Sequence, residues 1–237
     1  MRHADPFGTF LAIGLAVLCL AMPAPVLAAE DNTGAWLSFS ISDAITAGGE
    51  DTRWHYWVDS QARFFDPGSG ASQFLIRPAI GYRFTDKLKG WAGYARFRAE
   101  NSAGAVSHEN RYWQQLEWPA GRIKGGNVSM RTRLEQRSVS TGEDLGIVLR
   151  FQTKYVRAFG RNGKNSLIIG IEPFFDLRDT DWKGRSGLTQ NRAFIGIGWR
   201  VADSISIETG YMNQYFWFDG REDRSFHHGV LNFNIRM

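Results

Sequence analysis

The chain is 237 residues long, 43% hydrophobic and 14% aromatic with nine tryptophans, and its 28 Lys and Arg against 24 Asp and Glu leave a formal charge of +4. The excess is dispersed arginine with no clustered basic run, which argues against nucleic acid as a partner. The one cysteine, Cys19, lies near the N-terminus, so the remainder excludes disulfides and thiolate metal sites.

Residues 1–28 read as a secretory signal: Arg2 and His3, an apolar stretch from Phe10 to Met22, then Pro23, Pro25 and a Val26-Leu27-Ala28 end with a small residue before the cut. Cleavage after Ala28 leaves 29–237 as a single domain. No later segment approaches the roughly 18 apolar residues of a membrane-spanning helix. If the exported chain crosses a membrane, it crosses with strands.

Pro and Gly clusters cut the rest into short alternating segments without helical period. The predicted strands are Trp36 to Ile41, Arg53 to Phe65, Ser72 to Phe84, Leu88 to Ala99, Glu109 to Trp118, Val128 to Val139, Leu145 to Val156, Ser166 to Leu177, Thr189 to Val201, Ile205 to Phe216 and Phe226 to Met237. Most reach the 9 to 11 or so residues that a tilted strand needs to cross a bilayer. In MRTRLEQRSV (130–139), Arg131, Arg133, Glu135 and Arg137 share one face while Thr132, Leu134 and Gln136 fall on the other. A soluble sandwich turns one face of each strand to a dry core, and here that face would be apolar with the charges in water. A transmembrane barrel turns the apolar face to lipid and the charges to its lumen. Slipping this strand by one residue would set four charges against lipid, at about 2 to 4 kcal/mol each near the midplane. Leu88 to Ala99 and Ile205 to Phe216 are ambiguous, since Tyr94 and Tyr211 sit beside glycines and fit either face.

Connections alternate in length. Thr85 to Lys87, Pro119 to Gly126, Gly160 to Lys164 and Ala202 to Ser204 are short, whereas Asn101 to His108, Ser140 to Asp144, Arg178 to Leu188 and Asp219 to Ser225 are mostly longer and more polar, the asymmetry of outer-membrane barrels. The fold class is therefore all-β, an antiparallel up-and-down transmembrane β-barrel. Because bacterial barrels carry even strand numbers, the expectation is about ten full strands with a partial N-terminal one, twelve being the alternative.

The successive motifs QFLIRPAIGYRF (73–84), GWAGYARF (90–97), HENRYWQQL (108–116), RTRLEQR (131–137), QNRAFIGIGWR (190–200) and ISIETGYMNQ (205–214) resemble the domain-of-unknown-function family 2490. The resemblance covers nearly the whole chain after residue 28 and implies an exported outer-membrane β-barrel of Gram-negative bacteria. It implies no activity and no catalytic residues. Barrels of this kind usually end in Phe or Trp, read by the assembly machinery; this chain ends in Met237, with Phe233 and Ile235 keeping the alternation.

Residues that could carry chemistry are few. Ser107-His108-Glu109 and His227-His228 are the hydrolase candidates, without a Gly-x-Ser-x-Gly elbow, and adjacent histidines on a strand point to opposite faces. Asp179-Thr180-Asp181-Trp182-Lys183-Gly184 begins like a calcium loop, but Lys183 and Gln190 stand where ligands are needed. No catalytic residue, metal or cofactor is expected. The lumen-lining candidates are Glu109, Arg111, Arg131, Arg133, Glu135, Arg137, Arg150, Lys154, Glu172 and Arg192, with Glu117, Asp176, Arg200 and Glu208 alongside. They allow a narrow passive channel for small polar or anionic solutes, or a closed envelope-maintenance barrel with a salt-bridged lumen; an outer-membrane hydrolase comes third. The partners expected are outer-membrane lipid, lipopolysaccharide and the barrel assembly machinery.

Overall fold

Period-two alternation, carried by aromatic and β-branched residues, sets the whole architecture. The computed structural model describes residues 30–65, 68–160 and 162–237; the expected signal, residues 1–28, lies outside them. These residues form eleven strands: β1 (Glu30–Ala47), β2 (Glu50–Phe65), β3 (Ser72–Thr85), β4 (Leu88–Glu100), β5 (Val106–Ile123), β6 (Gly126–Val139), β7 (Gly146–Phe159), β8 (Asn165–Asp176), β9 (Gly187–Ala202), β10 (Ile205–Phe216) and β11 (Arg224–Arg236). They close into one barrel in which sequential neighbours pair antiparallel.

The strand count corrects the expectation of ten or twelve. β1 is a full strand of 18 residues, and it closes the barrel by pairing in parallel with β11. Strand direction alternates along the chain, so an odd count brings the first and last strands together pointing the same way. Their register satisfies both faces of the wall. Trp36, Ser38 and Ser40 meet Val230, Asn232 and Asn234 inside, while Leu37, Phe39 and Ile41 meet Leu231, Phe233 and Ile235 outside. Within the lumen Ser38 donates to Asn232 Oδ1 at 2.6 Å and Ser40 to Asn234 Oδ1 at 2.8 Å.

The strands are steeply staggered. Paired residues followed from Trp36 through β2, β3 and β4 arrive at Ser107, near the start of β5; followed the other way, they arrive at Arg122, near its end. This shear is what tilts the strands of a closed barrel. At one end lie the connections β1–β2, β3–β4, β5–β6, β7–β8 and β9–β10, and at the other the mostly longer connections β2–β3, β4–β5, β6–β7, β8–β9 and β10–β11. Lys124 and Gly125, with φ of 46° and 80°, supply the left-handed pair that a two-residue hairpin turn requires. β5 also runs past Pro119, where the short connection was expected to begin, because a bulge between Pro119 and Gly121 absorbs the missing donor.

The barrel is inside out relative to a soluble one. Ile76, Ile80 and Ile195 are about half exposed on the outer wall, whereas the side chains of Arg133 and Glu135 are 0% and 1% exposed within. Trp54, Phe84, Phe159 and Trp199 ring the short-turn end, and Phe64 and Phe74 stand toward the long-loop end. The two ambiguous strands resolve with Tyr94 and Tyr211 outward and with Phe97, Met212 and Gln214 inward. Gly93 is required there: a Cβ would stand 2.4 Å from the Trp113 ring and 2.7 Å from the Pro78 carbonyl, so its absence lets Trp113 fold against the inner wall.

The outer wall of β4, β5 and β6 departs from the apolar expectation. Arg96 and the Tyr94 hydroxyl donate to Asn110 at 2.7 and 2.6 Å, Gln114 and Gln136 exchange amide bonds at 3.3 and 3.1 Å, and Arg98 pairs with Glu100 at 2.8 Å. These polar groups stay on the outer wall because they satisfy one another.

Candidate functional site

Inward positions on neighbouring strands bring the charged residues to one level. β6 supplies Arg131, Arg133, Glu135 and Arg137; Arg150 comes from β7, Glu172 from β8, Glu109 and Arg111 from β5, and Asp59 and Arg77 from β2 and β3. Glu135 accepts from Arg150 at 2.5 Å and from Arg137 Nε and Nη2 at 2.9 and 2.5 Å, with Arg133 at 3.6 Å. Glu172 accepts from Arg131 at 2.5 Å and from Arg150 at 2.7 and 3.1 Å. Glu109 takes Arg111 at 2.7 Å and has Arg137 at 3.7 Å, and Asp59 pairs with Arg77. Arg150 therefore joins Glu135 to Glu172, and Arg137 joins Glu135 to Glu109. The result is a continuous ion-paired belt along the inner faces of β5, β6, β7 and β8, with the Asp59–Arg77 pair as a separate unit on β2 and β3. Arg133 is held by an amide: Gln115 Oε1 accepts from its Nε and Nη2 at 2.8 and 2.5 Å.

Aromatic rings fill between the guanidiniums. Arg133 lies 4.2 Å from the Trp113 ring centroid, Arg77 5.0 Å from Trp57, and Arg150 4.3 Å from Phe174. Arginines outnumber carboxylates at this level, and ring faces take up part of the surplus.

The belt divides the interior. Above it, toward the long loops, is a vestibule of about 780 Å³; below it lie a cavity of about 270 Å³ lined by Ser38, Ser40, Asn232 and Asn234, and a wider mouth of about 580 Å³. Of the predicted lumen residues, Lys154 stands below the belt, paired with Glu208 at 2.9 Å, and Arg192 stands at the vestibule floor. The residues that sequence reasoning left out of the site are Asp59, Arg63 and Arg77 with their glutamine neighbours. They lie on the polar faces of β2 and β3, and that was the available signal.

Loop 177–186 roofs part of the vestibule. Trp182 Nε1 donates to the Asp144 carbonyl at 2.8 Å, and Asp181 accepts from the backbone N–H groups of Glu143 and Asp144 at 2.9 and 3.2 Å. Those bonds, that of Glu143 first, hold the Asp181 carboxyl below its usual range; the Ser186 N–H does the same for Asp179. The two carboxylates of the calcium-like motif thus serve the loop backbone. Lys183 pairs with Asp176 at 2.5 Å, and burial followed by the nearby Arg137 charge pushes its ammonium down to about 8.

The hydrolase candidates do not assemble. Ser107 faces the vestibule and His108 the outer wall. His228 is buried inside, 3.1 Å from Gln214, while His227 faces outward. Asp31 and Ser225 both approach the same His227 nitrogen, Nε2, at 3.2 and 3.4 Å, while Tyr211 occupies Nδ1 at 2.6 Å, so Asp31 cannot orient the ring for proton transfer from Ser225.

Residues 33–225 match the family model described as a protein of unknown function, DUF2490. An uncharacterized protein of Methylorubrum extorquens strain AM1 is 35% identical over 160 residues, covering 67% of this chain and 70% of that protein.

Proposed function

We propose that the chain, which belongs to the DUF2490 family, is a sealed outer-membrane β-barrel, a closed envelope component rather than an open pore or an enzyme. The observation that carries this reading is the belt linking Glu109, Arg137, Glu135, Arg150 and Glu172, whose side chains are all less than a tenth exposed. A water-filled path would wet these groups. The membrane placement is supported by the apolar outer wall, by buried charge inside it and by the alternation of short and long connections. Lipid, lipopolysaccharide and the barrel assembly machinery are the partners such a placement calls for.

The surplus of guanidinium over carboxylate favours the other reading, a narrow anion path. Planar-bilayer recording separates them. The sealed barrel gives a silent trace, whereas a channel gives steady anion-favouring steps that weaken in Arg133→Glu. Such steps from the wild-type protein would end the sealed reading.

A further inference from the structure

Five arginines line the vestibule, and three of them, Arg63 from β2, Arg111 from β5 and Arg192 from β9, are grouped around shared rings. Two aromatic rings connect them. Arg63 and Arg192 lie 3.7 and 4.8 Å from the Trp36 centroid, and Arg63 and Arg111 lie 5.5 and 4.5 Å from Phe97. A ring face attracts a cation but leaves its charge in place.

What holds these arginines differs from what holds the belt. Arg63 is 5% exposed, yet among the described residues its hydrogen-bond acceptors are neutral amides, Gln61 at 2.5 Å and Gln73 at 3.3 Å. No carboxylate of the described residues lies within ion-pair distance of it, and its Nε has no acceptor. Arg192 is also held by a glutamine, but with the Glu172 Oε2 at the limit of ion-pair distance. With the Gln190 amide oxygen turned toward it, that oxygen accepts from Nε at 2.8 Å and Nη2 at 3.1 Å; the Glu172 carboxylate stands 3.9 Å away and already serves Arg131 and Arg150. Arg111 shares Glu109 with Arg137, and its own Nε also lacks an acceptor. Glutamines orient a guanidinium without neutralising it, so the vestibule floor is preorganised and carries net positive charge.

We infer that the vestibule is a binding site for an organic oxyanion, a phosphate or carboxylate group on an apolar body, with Arg63 and Arg192 recognising the charge. A planar guanidinium fork matches phosphate and carboxylate geometry. The walls above it, Phe65, Phe216 and Phe226, suit the apolar body, and the volume falls within the roughly 300–1,000 Å³ that takes a drug-sized ligand. The inference rests on the sealed reading only in that the belt gives the cavity a floor; the test reads binding and is independent of conductance.

The protein, refolded in a neutral detergent, is titrated calorimetrically with phenyl phosphate, inorganic phosphate, phenol and dihexanoyl phosphatidic acid below its micellar concentration. Phenyl phosphate or the lipid analogue is expected to bind with Kd below about 1 mM, to weaken as salt is raised, and to lose at least about tenfold (roughly 1.4 kcal/mol) in Arg63→Gln and in Arg192→Gln. Tighter binding of the lipid analogue identifies a lipid headgroup as the source, and tighter binding of phenyl phosphate a soluble ester; either supports the site. Should Arg63→Gln fail to fold, judged by unboiled gel mobility, Ala71→Trp narrows the vestibule while leaving every guanidinium in the chain and is expected to weaken binding at least about tenfold. No binding of either organic phosphate, unchanged binding in folded Arg63→Gln or in Ala71→Trp, or equal affinity for inorganic phosphate or phenol would overturn the inference.

Discussion

Glu135→Gln removes one negative charge from the centre of the belt and changes the side-chain shape little. The carboxylate it replaces is 1% exposed and serves Arg137 and Arg150 at 2.5 Å with Arg133 at 3.6 Å. The amide can still accept, but its N–H₂ meets guanidinium donors, and at least one buried positive charge loses its partner. Removing one member of a buried ion pair costs about 3–5 kcal/mol, a large part of a total stability of roughly 5–15 kcal/mol. The same pair in a wet lumen would be worth only about 0–1 kcal/mol. Urea titration of protein refolded into zwitterionic vesicles, followed by tryptophan fluorescence and gel mobility, measures the difference. Glu208→Gln is the control, because its pair with Lys154 lies below the belt and is partly exposed on both sides; it should lose no more than about 1 kcal/mol. If Glu135→Gln loses no more than Glu208→Gln, the belt is hydrated and the argument for a sealed lumen collapses.

Two further outcomes follow from the wall and the loops. Leu134→Arg places a charge on the outer face of β6 and should lower stability in vesicles by about 2–4 kcal/mol if that face meets the middle of a bilayer; a change under about 0.5 kcal/mol, the ordinary effect of a surface substitution, would mean that the face meets water. Asp179 and Asp181 titrate below their ordinary value of 3.8 in the folded chain. The support they give loop 177–186 and its contact with 140–145 is therefore complete above 3.8 and is lost as pH falls through the lower folded value. Exchange of the Glu143, Asp144 and Ser186 amides, corrected for intrinsic rates, should be unchanged from pH 7 to about 4 and rise as pH falls further, and Asp181→Ala should show fast exchange of Glu143 and Asp144 already at pH 7. Glu143 and Asp144 amides as protected in Asp181→Ala as in the parent would refute the account.

The sequence made some of this legible and hid the rest for definable reasons. β6 could be placed and faced from MRTRLEQRSV alone, because four charges on one face leave a single tolerable register. The alternation in connection length was equally readable. β1 was not: Ser38, Ser40 and Ser42 resemble loop residues until Asn232 and Asn234 are set beside them, and the expectation of an even count then concealed a full strand. The polar strip through Arg96, Asn110, Gln114 and Gln136 escaped notice because each residue alone fits either face. Glutamines raised the same difficulty within the lumen, since nothing in a single sequence tells a Gln that holds an arginine from one that meets water.

That distinction separates the two halves of the interior. Carboxylates bind Arg131, Arg137 and Arg150, and a group already paired at 2.5–2.9 Å has little left to offer an incoming anion. Amides bind Arg63 and Arg192, which keep their charge. The seal and the vestibule are then linked physically. In the sealed barrel proposed above, bulk water reaches the floor only from the vestibule, and attraction between a guanidinium and an oxyanion is several-fold stronger there than in bulk water. Opening the belt would hydrate the floor and weaken the same attraction. A barrel built to pass anions would gain from an open belt, whereas a barrel built to hold one gains from a closed belt, and the carboxylates of Glu109, Glu135 and Glu172 are arranged as the second requires.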